Sequence, residues 1–128
     1  LHFYPYTGGN SRQENSMAIL FESENCVILV TGDLDIAGER RLLRQEALPK
    51  ADILVAGHHG SKYATSQELL DAVKPELALI SVGANNSYGH PTQEVLDRLT
   101  GANCTIRRTD LEGTIVIRRN SRGKKTGS

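Results

Sequence analysis

Three short polar clusters hold side chains able to do chemistry. Thr31-Gly32-Asp33-Leu34-Asp35 offers two carboxylates, Gly57-His58-His59-Gly60-Ser61 two imidazoles, and Asn85-Asn86-Ser87-Tyr88-Gly89-His90-Pro91 a further imidazole among amides. Carboxylate oxygen and imidazole nitrogen together suit Zn²⁺ or Mn²⁺, and the neighbouring glycines let the backbone approach an ion. Taken singly, each cluster has an ordinary explanation. Asp33 or Asp35 can cap a helix, paired histidines can pack in a turn, and His90 can be the N-cap of a helix that follows Pro91. Their placement sets the three apart: each directly follows an apolar run, so three independent chain segments deliver ligand-type residues at their ends.

Those runs are Met17–Phe21 continuing to Cys26–Val30, then Ile53–Ala56, Leu77–Val82 and Thr114–Ile117. The later ones are short, rich in Ile, Val, Leu and Ala, and bounded by Gly, Asn or Asp, which predicts buried strands. The first two are separated by Ser23-Glu24-Asn25, a polar loop short enough for an antiparallel hairpin. Between the runs the spacing turns helical. Residues 37–48 set Leu42, Leu43, Ala47 and Leu48 among Arg and Glu ahead of Pro49. Residues 66–73 follow a capping box, Thr65-Ser66-Gln67-Glu68, and bury Leu69, Leu70 and Val73 before Pro75. Residues 92–100 begin after Pro91, carry Val95, Leu96 and Leu99 on one face, and end at Gly101. This alternation is that of an α/β domain, where ligands bind outside the carboxyl ends of the strands.

The 128 residues suit one domain, and 38% hydrophobic content supports a modest core. Fifteen basic and fifteen acidic side chains cancel, but unevenly: residues 118–128 hold five basic residues and no acid, so residues 1–117 carry a net charge of −5. The tail has no apolar residue and is expected to be disordered. The body lacks the clustered Lys and Arg that drive phosphate affinity, which disfavours a binder relying on a basic surface. Cys26 and Cys104 are too few for a disulfide scaffold and, beside apolar runs, read as buried thiols. No run approaches the ~20 residues of a membrane span, and no signal-peptide pattern opens the chain. Nucleotide cofactors have no support, since neither a G-x-x-x-x-G-K-[ST] loop nor a G-x-G-x-x-G fingerprint occurs, and Ser61 lacks the G-x-S-x-G elbow of a Ser-His-Asp hydrolase. The first residue is not Met and the opening LHFYPYTGG has no capping signal, so a fragment of a longer chain is expected.

The series N-S-x-A-I-L (Asn15–Leu20), V-T-G-D (Val30–Asp33), G-H-H-G-S-K (Gly57–Lys62), S-V-G-x-N-N-x-Y-G-H-P (Ser81–Pro91) and R-T-D-x-x-G-T-I (Arg108–Ile115) resembles the metallo-β-lactamase-fold domain of ComEC-type DNA-internalisation competence proteins, in order and spacing over residues 10–117. The resemblance implies an α/β, metallo-β-lactamase-like αββα sandwich, of which residues 1–117 are mainly the C-terminal half and 118–128 a basic tail. The H-x-H-x-D-H motif of the family's first half is missing from this sequence, which has four histidines. By the same resemblance Asp33 bridges two divalent metal ions, Zn or Mn, and one of His58 and His59 is a terminal ligand. The superfamily's His-then-Gly pattern points to His59, while His58, first off the strand, stays open. His90 and Asn86 match positions near the metals, contacting a phosphate or steadying a leaving group, and Ser61 and Lys62 line the substrate rim.

The implied activity is metal-assisted phosphodiester hydrolysis, a nuclease acting on DNA during uptake, with metals rather than basic side chains supplying the positive charge at the phosphate. The implied setting is a membrane-embedded parent protein presenting this domain on the extracytoplasmic face of a bacterial inner membrane. Two other readings share these residues: a non-catalytic half-domain that needs the missing N-terminal half or a homo-oligomer, and a small-molecule phosphodiesterase of the same superfamily. Half a sandwich leaves one sheet face uncovered, so limited stability, a covering partner and weak metal binding by the chain alone are expected.

Overall fold

A computed structural model describes residues 2–5, 17–83, 89–119 and 125–126. Among them, six strands form one mixed sheet in chain order: β1 (His2–Pro5), β2 (Met17–Glu22), β3 (Val27–Val30), β4 (Ile53–Val55), β5 (Leu77–Ile80) and β6 (Thr105–Arg108). The fold is α/β, as the alternating pattern predicts. The expected hairpin forms: β2 and β3 pair antiparallel from Ile19↔Val30 to Glu22↔Val27, and the Ser23 amide closes the loop on the Cys26 carbonyl at 3.0 Å. β1 adds antiparallel to β2, while β3 through β6 run parallel.

Helices α1 (Ile36–Gln45), α2 (Gln67–Val73) and α3 (Gln93–Gly101) bridge the parallel steps, and the short α4 (Thr109–Glu112) follows β6. The strands advance in one direction across the sheet. Right-handed crossovers that all advance the same way put their helices on the same face. Strand alternation then sorts the side chains. Leu20, Leu29, Leu54, Ala78 and Ile80 face the helices and are buried with Leu69, Leu70, Val73, Val95 and Leu99. Leu42 of α1 closes the far end against Ala18 and Leu34. Each fully buried Leu, Ile or Val contributes about 1.5–3 kcal/mol relative to exposure. On the opposite face, Ile28, Ile53, Val55 and Leu79 join Ser23, Asn25, Cys26, Ile115 and Ile117 around a cavity of about 500 Å³.

The structure departs from the sequence pattern at definable places. Thr114–Ile117 forms no strand: the position beside β5 is taken by Thr105–Arg108, and Ile115 and Ile117 reach over the outer face instead. The helix expected over 37–48 is Ile36–Gln45, with Leu48 packing against the core from the segment beyond it. The capping box at Thr65 does not form. Ser66 is the N-cap of α2, its hydroxyl accepting the Leu69 amide at 3.1 Å, while Thr65 has φ +59° and a hydroxyl without a partner among the described residues. The N-cap of α3 is Thr92, not His90. Cys26 and Cys104 are half-buried thiols, and the Cys104 Sγ donates to the Pro75 carbonyl at 3.3 Å. In the basic tail, β7 (Arg118–Arg119) and β8 (Lys125–Thr126) pair antiparallel. No described helix is long and apolar enough to cross a membrane.

Candidate functional site

The carboxyl ends of β3, β4 and β5 open on one rim, and each loop there is shaped by local chemistry. After β3, buried Thr31 accepts the Leu34 amide on its carbonyl at 3.1 Å, closing a turn through Gly32 at φ +59°. Asp35 is spent on structure: as the N-cap of α1 its Oδ1 accepts the Gly38 amide at 2.9 Å. Asp33, at the tip of the turn, keeps an exposed carboxylate.

After β4 the chain makes a tight turn over Gly57–Gly60, with His58 (φ +48°) and His59 (φ +54°) both in the left-handed region. Such backbone costs about 1–3 kcal/mol per residue and persists only where its surroundings over-determine it. Here the neighbouring loops do so. The His58 amide donates to the Gly32 carbonyl at 3.0 Å, and the Thr92 amide donates to the Gly60 carbonyl at 3.0 Å. A Cβ at Gly57 would lie 2.9 Å from Thr31 Oγ1, and one at Gly60 would lie 2.5 Å from Pro91 Cβ, so glycine alone permits this contact between the three loops. The paired histidines are thus braced from both sides.

His59 Nδ1 lies 2.5 Å from the Ser81 carbonyl oxygen. A carbonyl only accepts, so Nδ1 carries the proton of this contact, on a ring that is otherwise exposed. His90, half-buried, has its pKa held below the ordinary histidine value, first by burial and then by the charges of His59 and His58. The three imidazoles thus act on one another through charge at the rim. Asn86 lies outside the described residues. Lys62 is exposed, its Nζ 5.2 Å from the ring centroid of Tyr63. Ser61 is buried, and its hydroxyl accepts the Tyr63 amide at 3.1 Å, which commits it to the turn.

The loop bearing Lys62 is gripped from two helices. Glu39 of α1, fully buried, accepts the Thr65 amide at 2.6 Å and the Ser66 amide at 2.8 Å. Burial pushes its carboxyl above the ordinary range, while the two amides, the Ser66 side chain and Arg98 pull the other way. Arg98 of α3 donates to the carbonyls of Ala64, Thr65 and Lys62 at 3.0, 2.7 and 3.2 Å. Neither residue stands out in the sequence, where charged positions on a short helix read as solvated. A signal was present for one: Glu39 precedes Leu42 and Leu43 by three and four residues, which puts it on the apolar stripe.

The rim's donors suit a Zn²⁺ or Mn²⁺ ion in kind, but not in number. Among the described residues no group of three His, Cys, Asp or Glu side chains is arranged to hold a metal ion.

No protein-family model matches the chain. It is 38% identical over 112 residues to ComE operon protein 3 of Bacillus subtilis, covering 88% of this chain and 14% of that protein. It is 43% identical over 89 residues to competence protein ComA of Neisseria gonorrhoeae, covering 69% of this chain and 13% of that protein. It is 35% identical over 121 residues to recombination protein 2 of Haemophilus influenzae, covering 91% of this chain and 15% of that protein. The chain therefore corresponds to about one-seventh of the length of each of these relatives.

Proposed function

From this similarity to segments of proteins named for competence and recombination, we propose that the chain is part of a competence protein acting in DNA uptake, and that it contributes one side of a divalent-metal-dependent phosphodiesterase site acting on DNA. In this reading the mixed sheet is the C-terminal half of a metallo-β-lactamase-like sandwich. The parent protein is membrane-embedded and presents this part on the extracytoplasmic face.

One observation carries the reading: the His59 ring, exposed at the rim, donates through Nδ1 to a backbone carbonyl. Metal-ligating imidazoles are held in this way, the second ring nitrogen fixing tautomer and orientation. Asp33, exposed at the neighbouring strand end, would supply the carboxylate, and His58 stays the alternative imidazole. These donors do not complete a site, so further ligands come from outside the described residues. When bound, a pair of divalent ions supplies an activated water and neutralises phosphate charge. The chain's own residues hold and orient: the exposed Lys62 ammonium attracts phosphate oxygens, and His90, its pKa held down, is a neutral proton acceptor near neutral pH. Asn86 is assigned to the same phosphate end of the site.

The test is cleavage of single- and double-stranded DNA, and of a small aryl phosphodiester, by the full-length parent protein with Mn²⁺ or Zn²⁺. Asp33→Ala and His59→Ala are expected to lower the rate at least about 100-fold, a loss typical of removing a group that acts on the transition state. DNA cleavage by Asp33→Ala at the unsubstituted rate would overturn the assignment. Cleavage of the aryl ester but not of DNA would move the substrate to a small phosphodiester.

A further inference from the structure

We propose that Thr109 is a positioning residue for His59, acting through the backbone of Ser81 and Val82. Thr109 belongs to the Arg108-Thr109-Asp110 motif, to which the phosphodiesterase reading gives no role. It begins α4 where β6 ends, beside the exit of β5. Its Oγ1 accepts the Val82 amide at 2.8 Å and donates to the Val82 carbonyl at 2.9 Å, with the Ile80 carbonyl 3.5 Å away. One hydroxyl therefore holds both backbone polar groups of Val82 and sits against Ile80, the two residues that flank Ser81.

The β5–β6 ladder ends at Ile80↔Arg108, so the Ser81 carbonyl lies just beyond the strand pairing. That carbonyl is the acceptor for His59 Nδ1 at 2.5 Å. The Thr109 hydroxyl takes over where the ladder stops and fixes the peptide whose oxygen selects the ring's tautomer. Arg108 steadies the Thr109 flank, its Nε and Nη2 donating to the Asp110 carboxylate at 2.9 and 2.6 Å. The connection runs Thr109, Val82, Ser81, His59, with one covalent step and hydrogen bonds at either end.

What the fixed ring is for rests on the metal reading above, but the positioning is read without metal. Long-range ¹H–¹⁵N spectra of the chain, at a pH where the rings are neutral, report which nitrogen of His59 carries the proton. The unsubstituted protein is expected to show Nδ1 protonated. Thr109→Val keeps the branched shape and removes the hydroxyl, and it is expected to shift the tautomer ratio about tenfold toward Nε2–H, as loss of one hydrogen bond of ordinary strength does. Thr109→Ser, which keeps the hydroxyl, is expected to restore the original ratio. A folded Thr109→Val protein with an unchanged His59 spectrum would overturn the proposal, as would Thr109→Ser behaving like Thr109→Val. If Thr109→Val does not fold, the unsubstituted chain decides: a rapidly exchanging Val82 amide, or His59 protonated at Nε2, overturns the proposal, and a slow amide with Nδ1 protonated supports it. An inactive nuclease assay leaves this result untouched, and an unmoved tautomer leaves the nuclease reading untouched.

Discussion

The Glu39 carboxylate of α1 accepts the backbone amide of Ser66, the N-cap of α2, at 2.8 Å with no exposure to solvent. Its other oxygen takes the Thr65 amide, so both oxygens are needed as acceptors. Glu39→Gln turns one acceptor into an NH₂ facing an N–H and is expected to cost about 1–3 kcal/mol in denaturant unfolding. Glu39→Ala strands both amides and leaves a void, and it should cost more. Equal stability of Glu39→Gln and the unsubstituted chain would show that the amides find other acceptors.

The same carboxyl gives a pH signature. Burial raises the Glu39 pKa above its ordinary value near 4.5, despite the amides and Arg98. A raised folded pKa means the folded state binds the proton more tightly than the unfolded chain does. The resulting stability is complete below the unfolded pKa and is lost as pH rises through the folded one. Relative to Glu39→Gln, the unsubstituted chain should therefore lose stability as pH climbs above about 4.5. Unfolding curves for the two proteins that stay parallel across that range would refute this.

The rim histidines are coupled through charge. Burial is the first cause of the lowered His90 pKa, and the charges of His59 and then His58 add to it. His59→Ala should raise the His90 pKa in an NMR titration, and His58→Ala should raise it less. Both should leave it below the ordinary value of 6.5, because the burial remains. No rise in either variant would place the histidines farther apart in solution.

Two glycines should behave in opposite ways. Gly60→Ala forces a Cβ against Pro91 at a φ of +87° and is expected to cost about 1–3 kcal/mol. Gly101→Ala, in the last turn of α3 with nothing within 4 Å, is expected to gain about 0.4–1 kcal/mol. Thermal unfolding of the pair checks both signs.

Capping supplies a further contrast. Ser66→Ala removes the hydroxyl that accepts the Leu69 amide and should cost about 1 kcal/mol. Thr65→Ala removes a buried hydroxyl with no partner among the described residues and should be nearly neutral. A large loss for Thr65→Ala would restore the capping box at that residue.

Much of the fold was legible because hydrophobic period and punctuation agree. The hairpin at Ser23-Glu24-Asn25, the strands around Leu54 and Ala78, and the helix ended by Gly101 all announce themselves locally. The strand Thr105–Arg108 did not, because its two arginines hide the pattern: each pairs with an acid in or beside the α4 turn, Arg107 with Glu112 and Arg108 with Asp110. Thr114–Ile117 misled for the opposite reason, being β-prone in composition but arriving after the ladder position beside β5 had been filled. At the rim, the placement of His58 and His59 just past β4 was legible from the strand end alone. The devices that hold the loops around them were not, since Glu39 and Arg98 grip the Lys62–Ser66 loop and Thr109 grips Val82 through backbone groups 26 to 36 residues away, which no local spacing reveals.

Strand order in space is strand order in the chain from β1 to β6. Each parallel unit docks beside the one synthesised just before it, and no strand must be inserted between two already paired. A chain emerging N-terminus first can thus lay down its sheet progressively, yet the clamp on Val82 comes from Thr109, just past the last strand of that sheet. Completion of the histidine rim is therefore late: a nascent chain that has made β5 but not α4 already displays His58 and His59, while the Val82 backbone beside the Ser81 carbonyl that accepts from His59 still awaits the Thr109 hydroxyl.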